Sequence, residues 1–199
     1  IRTLISSKRS GLAGFYLNTG GLKRRLQILA NAAQILARLH AIPLVYADIS
    51  ENNIMISEQA DGTEVWLVDL DNLHYQSSRA EFIHTPDLGA PEVVTGRSGV
   101  STLSDAYSFA ILAFWILTQI LPFDGDYECD PDSDKNLIEL AQRGEIPWIE
   151  DTQDNSNYTD NGIPRHLVLS KPLHALFQRT FEEGRLDRTK RPSMAEWSE

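Results

Sequence analysis

The 199-residue chain is poor in three things. Cysteine occurs once, at Cys129. No internal disulfide can form, so a disulfide-stapled scaffold is excluded and a reducing cytoplasm is the expected setting. Long apolar runs are also missing. The longest, Phe109 to Leu117, has nine residues, whereas a membrane span needs about 20. That run reads as a buried helix, and no targeting segment is visible. Basic residues are the third shortage: 18 Lys and Arg face 28 Asp and Glu, a formal net charge of -10. A general binder of the nucleic-acid backbone is thereby excluded.

What is present describes an ordinary globular chain, with 42% hydrophobic and 23% charged residues and enough length for one domain with a real core. The acidity is local. Residues 124–160 hold twelve acids and two bases, which accounts for the whole net charge. The alternating acids from Asp124 to Asp134 do not make an EF-hand, since that loop would need Gly at Cys129 and Glu at Lys135. They read as a solvated loop before a helix over 135–143; the functional alternative is a docking site for basic substrates.

Hydrophobic spacing predicts the elements. Residues 1–18 read as a hairpin turning at Lys8–Gly11. Leu22, Leu26, Leu29, Ala33, Leu36 and His40 recur at three and four and define one helix face, ended by Pro43. Ile54–Ile56 and Val65–Val68 read as two strands joined by a turn at Ala60-Asp61-Gly62. An irregular segment follows from Asp71 to about Glu92. An apolar helix spans 103–121, and a last one spans 172–183 with Leu173, Leu176 and Phe177 inward.

The chemistry concentrates in Tyr46-Ala47-Asp48-Ile49-Ser50-Glu51-Asn52-Asn53, followed by a strand, and in Asp69-Leu70-Asp71 after the next strand. One hairpin thus offers Asp48, Asn53, Asp69 and Asp71. Such hard oxygen ligands suit Mg²⁺ held jointly with phosphates, and a carboxylate beside them can accept a hydroxyl proton.

This order resembles the catalytic loop and metal-binding Asp of the protein kinase superfamily. Further motifs follow in the family's order: Leu39-His40, Thr85-Pro86-Asp87-Leu88-Gly89-Ala90-Pro91-Glu92, Ser104-Asp105-Ala106-Tyr107-Ser108, and Arg188-Thr189-Lys190-Arg191-Pro192-Ser193. The resemblance runs over residues 14–197. It implies an α+β kinase-like C-terminal lobe, mainly helical with a short catalytic hairpin, over residues 19–199. Residues 1–18 would be the end of an N-terminal lobe, with the hinge at Tyr16, Leu17 and Asn18 pairing with adenine. It implies Asp48 as the proton acceptor, Asn53 and Asp69 as Mg²⁺ ligands with Asp71 beside them, and Met55 under the adenine. Glu92 and Arg191 would form a buried ion pair, and Asp105 would brace the catalytic loop.

Several positions depart from the pattern. Tyr46-Ala47-Asp48 replaces His-Arg-Asp, which removes the Arg that pairs with a phosphorylated activation loop. Ser50 takes the place of a catalytic-loop Lys, and Asp71 that of the Gly in Asp-Phe-Gly. No G-x-G-x-x-G and no strand Lys of the V-A-I-K type occurs; the family places both upstream of Ile1. The expectation is therefore the larger lobe of a longer domain, inactive alone, from a Ser/Thr protein kinase using ATP and Mg²⁺ on a protein substrate, with no nucleic-acid or membrane partner. The loose match to common eukaryotic forms points to a bacterial or phage kinase. A pseudokinase binding module and a small-molecule kinase are the alternatives.

Overall fold

The computed structural model describes residues 1–8, 10–59, 61–76, 82–128 and 137–199. A 3-10 turn at Arg2–Leu4 leads to helix α1 (Leu12–Asn18) and the long α2 (Gly21–Ala41). Then come β1 (Leu44–Val45), β2 (Ile54–Ile56), β3 (Val65–Leu67), a 3-10 turn at Leu70–Asn72, and β4 (His74–Tyr75). The rest is helical: α3 (Pro91–Val94), α4 (Thr102–Thr118), α5 (Leu137–Gln142), α6 (Arg165–Val168), α7 (Lys171–Phe181), α8 (Glu183–Leu186), a 3-10 turn at Arg188–Lys190, and α9 (Met194–Trp197). Short strands among helices match the expected α+β, mainly helical composition. Among the described residues no helix is long and apolar enough to cross a membrane.

Helix α4 is the axis of the core. It is apolar nearly all round, as a helix must be when neighbours cover every side. Ser101 caps it, accepting from the Ser104 amide while the Ser104 hydroxyl accepts from the Ser101 amide. Phe114 stands edge-on to Trp148, Phe177 and Phe181, with centroids 5.9, 5.2 and 6.1 Å away. Such aromatic pairs each add about 0.5–1.5 kcal/mol beyond area burial. Phe177 faces inward on α7, as its spacing predicts.

The expected hairpin over 1–18 is absent. Gly11 adopts a left-handed conformation (φ 71°) and starts helix α1. Tyr16 is buried on α1 with the Arg25 guanidinium 3.8 Å from its ring centre. The buried face of α2 is also shifted: Arg24, Arg25, Ile28, Leu29, Ala32, Ala33 and Leu36 point inward, while Leu26 is exposed. Two arginines lie inside because the surrounding loops offer bare carbonyls. Arg24 donates to Thr19 O, Ser57 O and Gly62 O. Helices α6 and α9, too short to show a periodic pattern, were not anticipated. Helix α5 starts at Leu137, and Cys129, Lys135 and the acids between them lie outside the described residues.

Glu150, Arg165 and His174 form a polar cluster. Glu150 accepts from Arg165 Nε at 3.0 Å and pairs with His174 Nε2 at 2.9 Å. The bond to Glu150 raises the His174 pKa above its ordinary 6.5. Burial alone would raise the Glu150 pKa, but its bonds to His174 and Arg165 outweigh that and hold it below 4.5. The folded state therefore binds the His174 proton more tightly than the unfolded chain does. This contribution is complete below pH ~6.5 and is lost as pH rises through the higher folded pKa. Urea midpoints should thus fall as pH rises from about 6 to 8, and His174→Gln should flatten that slope. An unchanged slope would show that the pair does not couple to stability.

Candidate active site

Two antiparallel ladders frame the site. Ile54, Met55 and Ile56 pair with Leu67, Trp66 and Val65, and Leu44 and Val45 pair with Tyr75 and His74. The loop over 46–53 runs from the β1·β4 ladder to the β2·β3 ladder. The loop over 68–73 runs between the same two ladders in the opposite sense. Fixed at both ends, they lie side by side, and the amide of Val68 donates to Asn53 O at 3.0 Å.

Asp48 is the centre. Asn53 Nδ2 donates to its carboxylate at 2.9 Å and to its carbonyl at 3.0 Å. Thr85 Oγ1 donates to the other carboxylate oxygen at 2.8 Å. Asp48 is thus held from two sides while remaining partly exposed.

The backbone before it is strained and clamped. Ala47 has φ 70°, a region that costs a residue with a Cβ about 1–2 kcal/mol. Buried Asp105, in the first turn of α4, accepts from the Tyr46 amide at 2.8 Å and from the Ala47 amide at 3.0 Å. His40 Nε2 lies 3.1 Å from the same carboxylate. The expected bracing role of Asp105 is therefore present as two charge-assisted hydrogen bonds, the strong kind.

Tyr46 links the two loops. Its hydroxyl donates to Asn53 O at 3.1 Å and also bonds Val68 O. Burial, and then the nearby charges of Asp48, Asp69 and Asp105, push its phenol up to about 12, so it stays a neutral donor at physiological pH. Asp69, left-handed at φ 57°, opens the 3-10 turn that carries Asp71; both are exposed. Among the described residues, neither the Asp69 carboxylate nor Asn53 Oδ1 accepts a hydrogen bond. Carboxylate and amide oxygens of this kind are the hard donors that suit Mg²⁺ together with phosphate oxygens.

Other predicted site residues fall elsewhere. Ser50 is buried; its hydroxyl accepts from the Asn52 and Asn53 amides at 3.3 and 3.2 Å. It shapes the turn and faces away from solvent. Tyr16 and Leu17 sit inside α1 instead of on an extended connector. The Tyr16 carbonyl already accepts from Arg25 and Thr19, so it is not free to pair with an adenine in this conformation. Asn18 and exposed Met55 do share one cleft, with Ile1, Arg2 and Thr3 on its edge.

Two contributions escaped the sequence reading: the Tyr46 hydroxyl and the Thr85–Asp48 bond. Both residues stood in recognised motifs, but spacing carries no information on where a hydroxyl points. Below the site, Arg191 donates two 2.7 Å bonds to the two Glu92 oxygens and a third, of 3.0 Å, to Leu103 O. This is the predicted ion pair. Burial alone would raise the Glu92 pKa, but the Arg191 bonds outweigh it and hold Glu92 below its ordinary value.

The sequence pattern of the protein kinase domain matches residues 21–199, so the chain belongs to the protein kinase family. It is 33% identical over 110 residues to serine/threonine-protein kinase pkn2 of Myxococcus xanthus, covering 51% of this chain and 13% of that protein. It is 33% identical over 101 residues to human ribosomal protein S6 kinase alpha-3 (49% of this chain, 13% of that protein). Human ribosomal protein S6 kinase alpha-6 is 32% identical over 120 residues (58% of this chain, 15% of that protein). The matched stretch is thus a small part of each of these relatives.

Proposed function

We propose that the chain is the larger, catalytic lobe of a Ser/Thr-type protein kinase, over residues 19–199, moving the γ-phosphoryl of ATP to a protein hydroxyl. The observation that carries this is the Asp48 carboxylate, held by Asn53 and Thr85. Family membership and the serine/threonine-kinase relatives support the same reading.

In the reaction, Asp48 orients the acceptor hydroxyl and takes its proton late. A bond forms between the acceptor oxygen and the γ-phosphorus as the bond to the ADP oxygen breaks. Asn53 Oδ1 and Asp69 would hold Mg²⁺, with Asp71 near Asp69 in sequence, and a bound ion would neutralise charge on the phosphates. Met55 offers an exposed apolar floor for the adenine. No Lys stands at position 50 and no Arg at 47, so within this chain phosphoryl stabilisation would fall to the metal-binding residues.

The test is transfer of labelled phosphoryl from γ-labelled ATP to a protein acceptor by the full-length protein, with and without Mg²⁺. Metal-dependent labelling of Ser or Thr is the expected result. Nucleotide binding without any transfer would overturn the kinase reading in favour of a pseudokinase. Transfer only to small molecules would overturn the protein-substrate reading.

A further inference from the structure

Gln119 ends α4 in a left-handed conformation, φ 62° and ψ 19°. That region crowds a Cβ, and a helix that ends this way usually places Gly there. The Gln side chain reaches what a Gly could not. Its Oε1 accepts from the Ser6 amide at 2.8 Å, and its Nε2 donates to Leu4 O at 2.9 Å and to Ile116 O at 2.8 Å. A donor meets the amide oxygen and two acceptors meet the amide nitrogen, so one orientation satisfies all three. The bonds to Ser6 and Leu4 span 113 and 115 positions of the chain.

The segment held in this way forms one edge of a cleft of about 540 Å³, an ordinary size for a small-molecule site. Leu4 closes the 3-10 turn at Arg2–Leu4, and Ile1, Arg2 and Thr3 line the cleft together with Glu51 and exposed Met55. The Arg2 amide donates to Glu51 O at 3.0 Å, which ties the same edge to the loop that carries Asp48. Thr3 is exposed, and its amide and carbonyl make no hydrogen bond among the described residues. Arg25 also donates to Leu4 O, at 3.2 Å, but it bonds α1, α2 and α4 as well. The side-chain bonds of Gln119 go to Leu4, Ser6 and the last turn of α4, so its influence is confined to the cleft edge.

We infer that Gln119 is a positioning residue for nucleotide binding, fixing the segment that carries Arg2 and Thr3 before the nucleotide arrives. The inference rests on the kinase reading above, which supplies ATP as the occupant. Backbone strain persists where surrounding contacts over-determine it, and such residues gather at functional sites. An edge that is already ordered lowers the cost of filling the cleft. If only a fraction of molecules held the edge, apparent affinity would fall by that fraction. The bonds of Gln119 reach neither Asp48 nor the Asn53 and Asp69 oxygens, so it should act on nucleotide affinity and not on the transfer step.

The test is Gln119→Gly in the full-length protein. This change removes all three side-chain bonds and relieves the left-handed backbone, so Tm should change little. Mg-ADP binding by calorimetry should weaken about three- to tenfold. The KM for ATP should rise by the same factor with kcat unchanged. Hydrogen exchange at the Ser6 amide should quicken in the absence of nucleotide. Ser6→Pro removes the same bond from its other side and should also weaken Mg-ADP; Ile5 already has the extended backbone (φ -110°, ψ 125°) that precedes a proline. Unaltered Mg-ADP affinity in both variants, or a loss of kcat and Tm with KM unchanged, would overturn this inference and leave the kinase reading in place. Weakened Mg-ADP binding in the variants of a protein that transfers no phosphoryl would overturn the kinase reading alone. No Mg-ADP binding by the unaltered protein would overturn both.

Discussion

Asp48→Asn should lower phosphoryl transfer by about 10²–10⁴-fold, the usual contribution of a positioned general base. The same variant should leave thermal stability nearly unchanged. Asn is the same size, and its amide oxygen can still accept from Asn53 Nδ2 or Thr85 Oγ1, which bond Asp48 at 2.9 and 2.8 Å. What it loses is the carboxylate charge and the capacity to take the hydroxyl proton. Single-turnover transfer and a melting curve on one preparation separate the two effects. Equal rates in variant and parent would refute the assignment of Asp48. A large fall in melting temperature would instead mark Asp48 as a structural anchor, like Asp105.

Arg25→Ala carries the largest expected loss of stability, at least about 3 kcal/mol. Arg25 is fully buried and has no carboxylate partner among the described residues. Its guanidinium donates to Leu4 O, Tyr16 O, Gly21 O, Ile116 O and Thr19 Oγ1 at 2.7–3.2 Å, and stacks on the Tyr16 ring. Burial lowers its pKa only to about 10, so the charge persists at neutral pH. Truncation would leave a cavity and poorly bonded carbonyls on four segments: the opening turn, α1, α2 and the end of α4. For a chain of this size about 3 kcal/mol corresponds to roughly 6–12 °C in Tm.

Arg25→Met separates the two causes, because it restores volume without the hydrogen bonds. Gln119 Nε2 already reaches Leu4 O and Ile116 O at 2.9 and 2.8 Å, so Arg25 and Gln119 should couple in a double-mutant cycle. A loss below about 1 kcal/mol in Arg25→Ala would mean that water replaces the guanidinium.

Much of this was legible in the sequence. The presence of α2, the short apolar strands β2 and β3, the all-apolar α4 and the Asp48, Asn53, Asp69 spacing each follow from local chemistry. A residue's neighbours along the chain set the periodicity of a helix or strand, and a short loop between strands sets which acids share one end of a hairpin. Glu92 and Arg191, 99 positions apart, were paired only through an ordered set of motifs.

Tertiary structure decided the rest. Residues 12–18 are helical where an apolar run after a turn suggested a strand, because seven residues are too few for their period to be read and Tyr16 packs on Arg25 from the next helix. Arg24 and Arg25 look like surface charges in the sequence. They are buried because carbonyls from distant segments converge on them, and no local pattern records that. The same holds for the Tyr46 hydroxyl, the Thr85 bond to Asp48, the inward turn of Ser50 and the reach of Gln119 to Ser6. The sequence by itself determined which chemical groups are available and in what order. Only the folded chain decided which of them are desolvated, which face each other, and hence which can act.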